Sequence, residues 1–129
     1  MATHLAIFTA GEAERIFSGR KKIEGRFSQI KIPPFGKVSA GDRVLIKISG
    51  EKVVGEFLVD RILSFDHPKK EELLTLRKKY FTELAFKDDF WLEHERVNYV
   101  TLMFIRSVNK FIVAPQIKKR DLRSWVVLS

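Results

Sequence analysis

The sequence predicts an α+β domain built on a mainly antiparallel sheet or barrel with helices at its flanks. Three observations lead there. Strand-like segments outnumber helical ones, and the two clear helical patterns do not alternate with strands in a regular βαβ repeat. Two of the strand-like segments are joined by the tight pair Gly50-Glu51, the spacing of a β-hairpin. The chain has 129 residues, 45% of them hydrophobic and 11 of them Phe, which suffices for the core of one domain, residues 1–129, without disulfides.

Leu5 to Phe8 is a short apolar run and reads as a first strand. Thr9 and Glu12 then stand at capping-box spacing, so a short helix is expected with Ala13, Ile16 and Phe17 on its apolar side. Gly19 is placed to end it, because glycine enters the left-handed region without steric cost. Lys21 to Ser28 fits a strand. Pro33, Pro34, Gly36 and Gly41 mark the next stretch as a loop. Val44, Ile46 and Ile48 then fall on one face, the two-residue period of a half-buried strand over Arg43 to Ser49. Past the turn, Lys52 to Phe65 is a long strand.

Pro68 suits the first turn of a helix. Leu73, Leu76, Tyr80 and Leu84 recur at helical spacing, with Lys and Glu on the other face. Asp88 to Glu95 suggests another short helix. Tyr99 to Val108 is β-rich, and Trp125 to Leu128 reads as a closing strand.

There is no cysteine, which excludes disulfides, thiol catalysis and thiolate zinc sites. No run approaches the length of a spanning helix, and no secretory signal pattern opens the chain, so a soluble cytoplasmic protein is expected. The balance of 24 Lys+Arg against 16 Asp+Glu gives a net charge of +8. A small domain so charged attracts polyanions, nucleic acid among them.

The densest polar cluster runs from Gly19 to Arg26. On a strand, Lys22, Glu24 and Arg26 share one face, while Lys21, Ile23, Gly25 and Phe27 share the other. Arg offers a phosphate a planar fork and Lys a point charge. Glu24 can orient those cations or accept from the edge of a base. Gly25 leaves room for a ligand or another backbone to approach. On charge alone, the same segment also reads as a solvated strand with alternating charges.

Gly19, Lys21, Glu24 and Arg26 match the Gly-x-Lys-x-x-Glu-x-Arg signature of ASCH domains in order and without a gap. The flanks agree: a short helix ending at Ile16-Phe17 precedes the match, and Gly41-Asp42-Arg43-Val44 follows it. The chain therefore resembles that family. The resemblance implies a small PUA-like β-barrel, mixed but mainly antiparallel, with flanking helices and with the signature lining a cleft. It also implies RNA binding, or action on nucleic acids or modified nucleosides. One bacterial branch of the family hydrolyses N4-acetylcytidine with a Thr nucleophile, a Lys and a distant Glu. Lys21 matches that Lys, but Glu24 stands where the branch has its Thr. A carboxylate is a poor replacement for that hydroxyl in attacking an amide.

Trp91, Tyr99 and Trp125 can stack on a base, since every base has a π-face. Ser28 lies on the Glu24 face of the expected strand. Lys118, Lys119, Arg120 and Arg123 form a basic run before Trp125 that suits phosphate contacts. His94, between Glu93 and Glu95, is a weaker candidate for a general base, and His4 and His67 stand alone. No metal-ligand spacing, Gly-rich phosphate loop or nucleophile elbow occurs, so no metal or cofactor is expected.

Three functions follow from these residues together with what the resemblance implies. The first is a module that binds RNA, single-stranded nucleic acid or a modified nucleoside through Gly19, Lys21, Lys22, Glu24, Arg26, Ser28 and Tyr99, with Lys118, Lys119, Arg120, Arg123 and Trp125 adding contacts. The second is a metal-independent hydrolase of the same cleft, an amidohydrolase on acylated cytidine or a ribonuclease, with Lys21, Glu24 and Tyr99 as its catalytic groups. The third is a protein-interaction module that docks an acidic partner.

Overall fold

The computed structural model describes residues 1–86, 96–117 and 123–129. In chain order the elements are β1 (Thr3–Phe8), α1 (Ala10–Phe17), β2 (Ile23–Ser28), β3 (Arg43–Ile48), β4 (Val53–Asp66), α2 (Lys70–Leu84), β5 (Tyr99–Lys110) and β6 (Trp125–Val127). The expected α+β class is what the structure shows. Six strands form one sheet in the order β2-β5-β4-β3-β1-β6. The pairing of β1 with β3 is parallel and the other four are antiparallel, so the sheet is mixed and mainly antiparallel.

Local chemistry sets the element ends. The Thr9 hydroxyl accepts from the Glu12 amide at 3.1 Å, and the Glu12 carboxylate accepts from the Thr9 amide at 3.1 Å, closing the capping box at the start of α1. Gly19 follows the end of α1 with φ +82°, in the region glycine enters freely. Helix α2 begins two residues later than Pro68 suggests, with Lys69 at its N-cap and its amide donating to Glu72 at 3.0 Å. The expected helix over 88–95 lies outside the described residues.

The sheet curls into a half-barrel. The ladder between β4 and β5 shifts register between Glu56 and Leu58 and again between Val59 and Arg61. Such bulges bend a strand and increase its twist. Inside the curl, Ala6, Phe8, Val44, Ile46 and Phe57 pack with Ala13 and Ile16 of α1 and with Trp125. Behind the sheet, Leu76, Tyr80 and Leu84 of α2 cover Ile23, Val100 and Leu102. The helical spacing read from the sequence thus marks the face that α2 buries. Among the described residues, no helix is long and apolar enough to cross a membrane.

Candidate functional site

Arg26 is the one signature side chain that reaches both open edges of the curled sheet. It sits on β2, at one end of the strand order, while β6 is at the other. Its Nη2 donates to the Ile7 carbonyl of β1 at 2.9 Å. Its Cζ lies 4.9 Å from the centroid of the Phe8 ring and 5.1 Å from that of Trp125. A guanidinium over aromatic faces is held by the ring quadrupoles as well as by its hydrogen bonds. About a fifth of the side chain (19%) remains exposed.

Glu24 lies two residues earlier on the same strand face, with Oε1 3.6 Å from Arg26 Nε. It sits opposite Met103 in the ladder and is 1% exposed. Its Oε2 is buried without a hydrogen-bond partner. Burial raises the carboxyl pKa above its ordinary value, and the Lys21 and Arg26 cations oppose that shift.

Lys21 is also 1% exposed. It precedes β2, so the two-residue alternation expected from the sequence does not extend to it. Its ammonium donates to the carbonyl of Leu84, the last residue of α2, and lies 4.2 Å from the Phe86 ring centroid. A helix C-terminus presents carbonyls without intrahelical partners and favours a cation. Burial lowers the Lys21 pKa, and Glu24 opposes the shift. Lys21 is thus a structural tie between β2 and α2 as well as a charge facing Glu24.

Other signature residues are placed differently from the sequence reading. Lys22 is exposed and lies outside β2, so only Glu24 and Arg26 share the expected face. The space beside Gly25 is filled: an added Cβ would stand 2.9 Å from Leu84 Cδ2 and 2.9 Å from Phe27 Cε1. That glycine admits the α2 side of the core, not a ligand. Gly19 acts as the stop of α1 and is exposed.

A cavity of about 50 Å³ opens beside Arg26. Arg26, Ser28, Thr101 and Ser124 supply its polar lining, and Pro34 and Phe35 supply apolar wall. Sites for drug-sized ligands run to about 300–1,000 Å³, so this cavity holds a fragment such as a phosphate or a base edge. The Ser28 hydroxyl donates to the Ile30 carbonyl at 2.8 Å and keeps acceptor capacity. A larger groove, about 370 Å³, lies between β4 and α2 over Leu63, Phe65 and Tyr80, and no residue singled out from the sequence as a site lines it.

Tyr99 pairs with Ser28, whereas Glu24 pairs with Met103. Four residues of strand separate those positions by about 13 Å. The Tyr99 ring packs edge-on against Phe35 at 4.9 Å and His67 at 5.2 Å. The trio Lys21, Glu24 and Tyr99 expected for a hydrolase is therefore not assembled around one point. Trp125 is 1% exposed, so its ring is covered from solvent, with the Arg26 guanidinium 5.1 Å from its centroid. Arg123 is exposed beside Ser124 at the cavity. Lys118, Lys119, Arg120, Trp91 and His94 lie outside the described residues.

A buried hydrogen-bonded chain that no motif announces lies beneath this site. Trp125 Nε1 donates to His4 Nδ1 at 3.0 Å, and His4 Nε2 lies 2.9 Å from Asp42 Oδ2. Asp42 also accepts from the amides of Ala2 at 3.0 Å and Ser39 at 2.9 Å. Burial alone would raise the Asp42 pKa, but the hydrogen bonds from His4, Ser39 and Ala2 outweigh it and hold the carboxyl below its ordinary value. The sequence reading left His4 alone because these partners are 38 and 121 residues away.

No protein-family model matches the sequence, and no curated protein matches it. Solved structures do. The chain is similar to the crystal structure of ASCH from Zymomonas mobilis, with a TM-score of 0.73, 18% identity, and coverage of 98% of this chain and 87% of that one. A serine-to-alanine variant of the same protein gives a TM-score of 0.74 at 17% identity, covering 98% of this chain and 88% of that one. A hypothetical protein, PH0355, gives 0.53 at 21% identity, covering 78% of this chain and 94% of that one.

Proposed function

We propose that this chain, whose fold is that of the ASCH-domain proteins, binds RNA or a nucleotide, with Arg26 as the group that meets the ligand. The observation that carries the reading is the placement of Arg26. It is pinned by Ile7, Phe8, Trp125 and Glu24, yet it lines an open cavity with three hydroxyl-bearing residues. A guanidinium so oriented recognises a phosphate or the acceptor edge of a base. Glu24 orients Arg26 from behind, and Lys21 holds the site against α2. The net charge of +8 adds attraction to a polyanion that weakens with salt.

Binding is favoured over hydrolysis because, among the described residues, no carboxylate or imidazole lines the cavity to activate a nucleophile. Titration of labelled single-stranded RNA and of nucleoside monophosphates, at low and high salt, tests the reading. Salt-sensitive binding that weakens in Arg26→Ala supports it; no binding of either ligand at low salt contradicts it. Incubation with acylated cytidine and RNA in the presence of a chelator tests the rival, for which turnover is the positive result.

A further inference from the structure

The geometry points to His4 as a positioning residue for Arg26, acting through Trp125. The inference rests on the reading of Arg26 as the ligand-binding group, but its physical basis is separate. An indole N–H only donates, so His4 Nδ1 must accept from Trp125 at 3.0 Å. The ring proton therefore sits on Nε2 and is donated to Asp42 Oδ2 at 2.9 Å. Asp42 is fixed in turn by the amides of Ala2 and Ser39. All three side chains are buried, with His4 at 0%, Trp125 at 1% and Asp42 at 3% exposure.

This chain does more than satisfy buried polar atoms. Packing against Ala6, Phe8 and Val44 confines the Trp125 indole, but packing alone does not hold its N–H on one fixed acceptor. The bond at Nε1 does. The tilted His4 and Trp125 rings stand 5.6 Å apart at 56°. Trp125 then offers a fixed face 5.1 Å from the Arg26 Cζ, with Phe8 offering another at 4.9 Å. Arg26 is held at the cavity between these faces, the Ile7 carbonyl and Glu24. Residues from β1, β2 and β6 converge on one guanidinium. Preorganising a ligand-binding group through such supporting bonds is how a binding geometry is kept within a fraction of an ångström.

The test follows the Arg26 Nε–Hε signal by NMR in ¹⁵N-labelled full-length protein, together with RNA affinity. In the wild type this signal is expected to be ordered and slow to exchange. Trp125→Phe keeps an aromatic face for Arg26 and cuts the link to His4; His4→Leu removes both bonds. Each is expected to disorder the Arg26 signal and to weaken RNA binding roughly ten- to a hundredfold, the size of effect a small misplacement produces. His4→Gln keeps one acceptor and one donor and is expected to restore both readouts in large part. If Trp125→Phe retains an ordered Arg26 signal and wild-type affinity, the positioning role is overturned, and any lowered melting temperature reflects structure alone. If the wild type binds no RNA, the functional reading fails, while the Arg26 signal still decides whether His4 positions it.

Discussion

Arg26 and Trp125 meet at 5.1 Å although their strands are the two outermost members of the sheet. The curl of the sheet alone brings β2 and β6 face to face, and Arg26 spans the gap to the Ile7 carbonyl. One side chain therefore braces the half-barrel and lines its cavity. Substitution at this position should change stability and binding together.

Arg26→Lys keeps the charge but loses the planar fork and the stacking. A lysine carries its three donors on one nitrogen and cannot lie flat between two rings while reaching Ile7. The expected outcome is a loss of about 1–2 kcal/mol in stability, from one hydrogen bond and a pair of cation–π contacts. RNA affinity should fall about tenfold. Denaturant unfolding and a binding titration check the two effects on the same sample.

Lys21→Met tests the tie to α2. Methionine preserves most of the buried stem but leaves the Leu84 carbonyl without its donor. An unmade buried bond costs about 1–3 kcal/mol. Amide exchange at Ala85, whose N–H donates to the Phe81 carbonyl at 3.3 Å, should quicken as the end of α2 loosens. Unchanged exchange there would mean that Lys21 serves Glu24 alone.

Gly25→Ala separates a packing role from a binding role. The new methyl would press on Leu84 and Phe27, each 2.9 Å away, so stability should fall by about 1–2 kcal/mol. Gly25 and Arg26 face opposite sides of β2, and RNA affinity should stay at the wild-type level. A large loss of affinity with little loss of stability would restore the reading of Gly25 as a gap left for ligand.

Asp42 predicts an acid-sensitive fold. Its folded-state pKa lies below the ordinary 3.8, so its stabilising contribution is complete above that value and is lost as pH falls through the lower folded value. Asp42→Asn should cost about 2 kcal/mol near neutrality, the worth of bonds to a charged group. The gap between variant and wild type should narrow at a pH well below 3.8, as the native carboxyl protonates through its lowered folded-state value. Urea unfolding at the two pH values measures it.

The sequence disclosed what is decided locally. The capping box of Thr9 and Glu12, the stop at Gly19, the turn at Gly50-Glu51 and the buried stripe Leu76, Tyr80 and Leu84 each depend on neighbours within a turn or a strand pair. Strand alternation places Glu24 and Arg26 on one face, as the structure has them. What stayed hidden depends on long separations. The Lys21 side chain finds Leu84 63 residues on, and the bond of Trp125 to His4 closes over 121 residues. No periodicity in a sequence records such meetings. Lys22 was misplaced for a related reason: the strand begins only at Ile23, so alternation read backwards from Glu24 had no strand to rest on.

The most direct test of the account maps a nucleoside monophosphate, then a short single-stranded RNA, onto ¹⁵N-labelled protein. Saturable shifts are predicted at the Arg26 Nε–Hε and at the amides of Ser28, Thr101 and Ser124, which surround the cavity, with all of them lost in Arg26→Ala. Binding that leaves those signals unmoved, or that persists undiminished in Arg26→Ala, would contradict the assignment of this cavity as the ligand site.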